Sequence, residues 1–374
     1  MRALRLAALL TLAGCAGRAP APASAPVAGA GAGRVDTGSI GGARYRVQLP
    51  ARWNGGLVMY AHGYRFLDAP PARWDDRAEQ ALRDTVLARG FAIAESQYRR
   101  QGWAVAEGVE DTEALRRHFV ARHGRPRETV MLGHSMGGLI AVLTLERHPD
   151  AYTAGLPVCG VLTPAPLLAR MVEVLAAADV LAPGVLRDGA AGLLGPVPAG
   201  LADSAVAAAL ARVPGATARV AAQMELRERD VPWVLAFARQ LVADLRAASG
   251  GLPFGNADVV YAGWGDDAAM NRAVRRYPGD PAATAWLLAR ASPTGALRVP
   301  TLAVHTTYDE LVPARSPNEY RLAAARAGAR DRFVQAWVEA DGHCNVSPAR
   351  TGRALDQLLA WAREGRRPAG GELR

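Results

Sequence analysis

The segment from Thr129 to Ile140, Thr-Val-Met-Leu-Gly-His-Ser-Met-Gly-Gly-Leu-Ile, constrains the fold of this chain more than any other stretch. A β-branched and apolar run ends in Gly-His-Ser-Met-Gly, and an apolar, helix-competent segment follows it. Read locally, that is strand, tight turn and helix, with Ser135 at the apex. A serine hydroxyl is a weak nucleophile unless the backbone lifts it clear of its neighbours and a base stands beside it. Gly133 and Gly137 leave room for a strained serine backbone and for close packing of helix on strand. The start of the helix also aims free N–H groups, Met136 first, at any anion forming near Ser135 Oγ. Ser135 is therefore the expected nucleophile. The competing reading is a glycine-rich turn that merely packs.

The flanking sequence extends the pattern. Strands are predicted over 45–49, 57–61, 91–94 and 152–158. Helices are predicted over 78–88, over 106–123 with Gly124 as the stop, and from the Ser135 turn to about His148. Strands alternating with helices over this length give an α/β fold, a mostly parallel sheet with helices on both faces. The alternation breaks at Gly160. Up to about Leu297 the chain is rich in alanine, leucine, proline and glycine, with helical stretches over 167–177, 203–212 and 231–248 and no convincing pair of strands. Strand signals return at 300–305 and 333–339, with helices at 321–327 and 354–364. A sheet domain over 41–159 and 299–374, carrying an inserted helical cap over 160–298, follows from this. At 374 residues and 50% hydrophobic content the chain can bury a core of that size. The cap enters where the carboxyl ends of the strands open, the side on which open α/β sheets bind ligands.

This arrangement resembles the α/β-hydrolase superfamily, from the first strand to the last helix, with the cap placed after the sixth strand of the family. The anchors are the serine turn, the His62-Gly63-Tyr64 turn after an early strand, a late acid and a later histidine. The resemblance implies the chain order serine, acid, histidine. His118 and His123 lie on a predicted helix, His148 precedes a proline and His134 is inside the turn. His305 ends a strand but precedes every good acid. His343 remains, in the loop Glu339-Ala-Asp-Gly-His-Cys344 after the last strand, as the expected base. The segment Thr306-Thr-Tyr-Asp-Glu-Leu-Val-Pro313 resembles the acid loop of the family, with Asp309 as the expected orienting carboxylate and Glu310 as the runner-up. Asp341 reads as a turn residue. The oxyanion donors implied are the N–H groups of Met136 and, from the His62-Gly63-Tyr64 turn, Tyr64. His62 itself reads as a structural hydrogen-bonding residue.

Cys159 ends the strand after the nucleophile helix and Cys344 directly follows His343, so both belong to one rim of the sheet and are expected to form a disulfide; the alternative is two buried thiols. The histidine-cysteine pair is similar to that of feruloyl esterases and tannases, although His134 stands where those proteins carry the partner cysteine before the serine. Trp103, in Tyr98-Arg-Arg-Gln-Gly-Trp103, lies on the same rim and either lines the substrate pocket or packs beneath the cap.

The amino terminus reads as a leader. A basic start, Met1-Arg-Ala-Leu-Arg5, and the short apolar run from Leu6 to Leu12 precede Leu12-Ala13-Gly14-Cys15, which resembles a bacterial lipoprotein cleavage site with lipid attached to Cys15. The alternative is an ordinary secretory signal. Residues 1–14 are then the signal peptide and 15–40 a flexible tether, giving an exported, lipid-anchored protein of the bacterial cell envelope. The formal net charge of +9 invites a nucleic-acid reading, but the 44 basic residues are all arginine and scattered, with no nucleic-acid-binding motif. No metal or other cofactor is expected, since no cluster has ligand spacing. The function expected is hydrolysis of a small-molecule carboxylic ester through an acyl-enzyme on Ser135. Peptidase, amidase or thioesterase chemistry on the same residues, or a non-catalytic binding protein on the same fold, are the alternatives.

Overall fold

A computed structural model describes residues 32–67, 69, 74, 76–186, 191–199 and 201–373. The expected signal peptide and Cys15 lie outside these residues. The strands are β1 (Ala32–Ile40), β2 (Ala43–Pro50), β3 (Gly56–Ala61), β4 (Ala92–Ser96), β5 (Glu128–His134), β6 (Ala154–Val158), β7 (Thr301–Tyr308), β8 (Phe333–Asp341) and β9 (Gly371–Glu372). The helices are α1 (Arg77–Leu87), α2 (Val105–His123), α3 (Met136–Arg147), α4 (Pro164–Leu181), α5 (Asp203–Ala211), α6 (Ala216–Met224), α7 (Val231–Ser249), α8 (Asp267–Ala273), α9 (Pro281–Ala291), α10 (Arg315–Arg326) and α11 (Pro348–Glu364).

The strands form one sheet in the order β1-β2-β4-β3-β5-β6-β7-β8-β9. β2 runs antiparallel to both neighbours, and every other pair is parallel. The period-2 alternation of side chains divides the apolar strand residues between two cores. Leu57, Met59, Ala61 and Met131 face a core shared with α2, α3 and the cap. Val58, Tyr60, Val130 and Leu132 face the other, closed by α1 and α11. Strands buried on both faces read as continuous apolar runs, which is why β3 and β5 stand out in the sequence.

The insertion expected over 160–298 contains α4 to α9 and, among its described residues, no strand. Its long helices α4 and α7 pack on each other, and α9 folds back against α2 of the sheet domain. The structure corrects the extent of the tether expected over 15–40. Ala32–Ile40 is a nine-residue strand paired with β2, and most of its side chains are exposed. It carries no alternating apolar face, so the ladder to β2, not a buried side, makes it a strand. β9 is likewise new: after α11 the chain returns to pair with Ala336 and Trp337 of β8. Among the described residues no helix is long and apolar enough to cross a membrane.

Candidate active site

β5 runs into Ser135 and α3 leaves it, as the sequence predicts. Ser135 has φ 57° and ψ −124°, a region L-residues rarely occupy and that persists only where surrounding contacts over-determine it. Those contacts are close backbone approaches. A Cβ on Gly133 would lie 2.0 Å from the carbonyl oxygen of Gly137, and a Cβ on Gly137 would lie 2.0 Å from that of Ala61. The Ser135 N–H donates to the Val158 carbonyl at 3.0 Å, tying the turn to β6. Five non-glycine residues in the described chain have positive φ, and four of them, Tyr98, Ser135, Cys159 and Cys344, follow or border strand ends on this one rim. Backbone strain is therefore concentrated around the hydroxyl.

The rim brings together residues far apart in sequence. His343 Nε2 is 2.8 Å from Ser135 Oγ, and His343 Nδ1 is 2.9 and 2.8 Å from the two carboxylate oxygens of Asp309. Asp309 is buried, and its Oδ1 also accepts the N–H groups of Leu311 at 3.0 Å and Val312 at 2.8 Å. Burial pushes the Asp309 carboxyl up, but the hydrogen bond and charge of His343, the Val312 N–H and nearby His305 outweigh it, holding the group below its ordinary value. Glu310 does not reach His343 and instead lines a neighbouring chamber. Asp341 ends β8 and pairs with Arg227 of the cap, so it is more than a turn residue.

The turn after β3 lies against the serine: a Cβ on Gly63 would stand 3.1 Å from Ser135 Cβ. Tyr64, the next residue of that turn, and Met136, the first residue of α3, line the same cavity as Ser135. His62 is buried, its Nδ1 bonded to the Gly63 carbonyl at 2.7 Å and its ring stacked on Tyr98 at 4.1 Å. Burial, then the charge of Arg65, pushes it down to about 3, so it stays neutral at physiological pH and shapes the turn. His134 is likewise pushed down to about 4 by burial and by His343. His305, which sequence order sets aside, has a part in the site. Its Nε2 donates to the Val312 carbonyl at 2.8 Å and stands 3.8 Å from Asp309 Oδ2, closing the acid loop from behind. No local signal marks it, because the bond crosses a loop whose shape is tertiary.

Cys159 and Cys344 form the expected disulfide, with Cα atoms 5.3 Å apart. It joins the end of β6 to the residue after His343. Cys159, His343 and Cys344 place their ligand atoms within 4.8 Å of one another, but with both sulfurs in the disulfide the group offers no thiolate to a metal.

Ser135 opens into a narrow cavity lined by Tyr64, Met136 and an apolar wall that includes Trp103, Leu168, Phe237 and Val312. Trp103 thus both lines the cavity and is buried. The cap is held over this cavity on two sides. On one, Asp244 of α7 accepts the Trp103 N–H at 2.5 Å and pairs with Arg100 at 3.2 Å. On the other, Arg227 pairs with Asp341 and lies 4.1 Å over the Tyr308 ring, whose hydroxyl donates to Asp230 at 2.6 Å.

A mostly parallel sheet in this order, a strained serine between β5 and α3, and a helical insertion over the strand ends make up the α/β-hydrolase fold. Residues 88–186, which carry β4 to α4, match the family model described as serine aminopeptidase, S33. Among solved structures the chain is similar to the Pyrococcus furiosus esterase Pf2001, at 11% identity over 87% of this chain and 91% of that chain, TM-score 0.48. It is also similar to Est1E from Butyrivibrio proteoclasticus, at 14% identity over 87% and 99%, TM-score 0.43. An acylaminoacyl peptidase aligns at 12% identity over 90% of this chain and 42% of its own, TM-score 0.48. No curated protein matches it in sequence.

Two consequences of this geometry are measurable. Replacing both cysteines by serine should lower the unfolding free energy by about 2–4 kcal/mol, since the bridge closes a long loop. Chemical denaturation should show this, and turnover should fall with it as the His343 loop gains freedom. The second concerns acid. A carboxyl held below its ordinary value stabilises the fold fully above the unfolded value, about 3.9, and that contribution is lost as pH falls through the folded value. Tm against pH should therefore fall less steeply below about pH 4 in Asp309→Asn than in the parent.

Proposed function

We propose that the protein is a serine carboxylic-ester hydrolase, and the hydrogen-bonded path from Ser135 Oγ through His343 to Asp309 is the observation that carries this reading. His343 Nε2 takes the Ser135 proton as Oγ bonds to the ester carbonyl carbon. The carbonyl oxygen becomes an oxyanion, held by the N–H groups of Met136 and Tyr64. Asp309 fixes the imidazole tautomer and stabilises the imidazolium without taking its proton. The bond to the alcohol oxygen then breaks, and His343 gives that oxygen its proton. Water, deprotonated by His343, attacks the acyl-enzyme, and Ser135 leaves with the proton. Trp103 and the apolar wall hold the acyl chain and keep water from the reacting atoms.

Fluorophosphonate labelling and p-nitrophenyl ester turnover test this. Ser135→Ala should abolish labelling, and Ser135→Ala and His343→Ala should each lower kcat by roughly 10⁴–10⁶. Asp309→Asn should lower it by about 10⁴. Labelling without ester turnover would move the reading to amide or thioester cleavage; the match of residues 88–186 to the serine aminopeptidase family model supports the amide as the second reading. A folded parent protein that neither labels nor turns over esters would leave a binding protein on a hydrolase fold.

We also propose that lipid on Cys15 anchors the domain to the bacterial envelope, with residues 16–31 as the tether. The sequence Leu12-Ala-Gly-Cys15 after a basic start and an apolar run supports this. In a bacterial host, Cys15→Ser should move the full-length protein from the membrane to the soluble fraction; membrane retention of that variant would refute the lipid anchor.

A further inference from the structure

Beside the Ser135 cavity lies a second, small chamber, and the two share Leu167, Met171 and Leu311 as a common wall. Four ionisable side chains line it: Arg170, Arg315, Glu310 and Glu319. Both arginines already have carboxylates. Arg170 donates to Glu173 at 2.8 Å and to the Gln223 carbonyl at 3.1 Å, and Arg315 lies 2.7 Å from Glu225. The two acids are not matched in this way. Glu319 accepts the Thr163 hydroxyl at 2.8 Å, and neither it nor Glu310 forms an ion pair among the described residues. Glu310 Oε2 is buried and has no hydrogen-bond partner among the described residues. A buried acceptor left without a donor is a penalty that a ligand with the right group removes. The chamber therefore carries an excess of acceptor and negative charge next to an apolar wall.

Its position relative to the reacting atoms indicates which part of a substrate reaches it. The Tyr64 and Met136 groups that face the oxyanion line the inner cavity, together with Trp103 and Phe237. The departing oxygen must lie within reach of His343 Nε2. The loop that holds His343 through Asp309 continues directly into Glu310 and Leu311, which line the chamber. We propose that this chamber is the leaving-group subsite and takes alcohol portions ending in a protonated amine, whose N–H bonds to Glu310 with Glu319 adding charge. This rests on the esterase reading, and it assigns that site a substrate class: apolar acyl esters of amino alcohols.

The test compares three butyrate esters on the full chain. One is the dimethylaminobutyl ester, whose tertiary ammonium has a single N–H donor. The second is its carbon isostere, the methylhexyl ester, with CH in place of the ammonium N–H. The third is the carboxybutyl ester. In the parent protein kcat/KM for the ammonium ester should exceed that of the isostere by about tenfold, the size expected of one charge-assisted hydrogen bond. The carboxylate ester should be the poorest. In Glu310→Gln the ratio of ammonium to isostere should fall toward one, and Glu310→Asp should keep part of it. Fluorophosphonate labelling of each variant checks that Ser135 remains reactive. Cleavage of the isostere with no preference for the ammonium ester, or a preference for the carboxylate ester, overturns the subsite and leaves the esterase reading standing. If none of the three is cleaved, the esterase reading fails and takes the leaving-group assignment with it.

Discussion

The structure depends on how closely three pieces of backbone approach one another around Ser135. α3 can start directly beneath β5 only because Gly133 and Gly137 have no Cβ, and the same absence lets Gly137 sit against the carbonyl of Ala61 at the end of β3. That contact does three things together. It forces Ser135 into its strained conformation, it sets the first N–H groups of α3 beside the hydroxyl, and it brings the His62-Gly63-Tyr64 turn alongside. The side of the site proposed to hold the oxyanion is thus a by-product of helix-on-strand packing. The histidine side is built separately and is delivered by the strands on the other side of β5.

That division explains why the halves of the site differ in how they are secured. The serine turn is held by sterics, by buried apolar strands on both faces and by the Ser135 N–H bond to Val158. His343 sits in a loop after an edge-ward strand, and a loop has few apolar contacts to fix it. It is held by a covalent bond at Cys344, by the Asp309 carboxylate, and through Asp309 by two backbone N–H groups and the His305 bond across the acid loop. A lone carboxylate buried this deeply would resist ionising; with these donors and the imidazole it stays charged.

Much of this is legible in the amino-acid sequence. Gly-His-Ser-Met-Gly after an apolar run encodes its turn locally, because the glycine spacing is itself the steric requirement. His343 and Asp309 can be chosen by chain order, and the two cysteines by the rim their strands share. What cannot be read is whatever is decided across space. The Ala32–Ile40 strand has no buried face, so its residues look like linker, and only its ladder to β2 makes it a strand. His305 acts through a bond to a carbonyl seven residues on, in a loop whose course depends on Asp309. The choice between Asp309 and Glu310 is a matter of a single residue in a turn, and the Asx-type bonds from Leu311 and Val312 decide it.

The cap meets the sheet domain at Tyr308, next to Asp309, and at Asp341, two residues before His343. The roof over the pocket therefore rests on the very loops that carry the acid and the base. On the proposed reading, the part that sorts substrates and the part that moves protons share one foundation. Natural variation in the cap then cannot drift freely to suit new substrates, because each change there also leans on the imidazole. New specificities should arise by exchange of pocket side chains, with the cap's footings left alone.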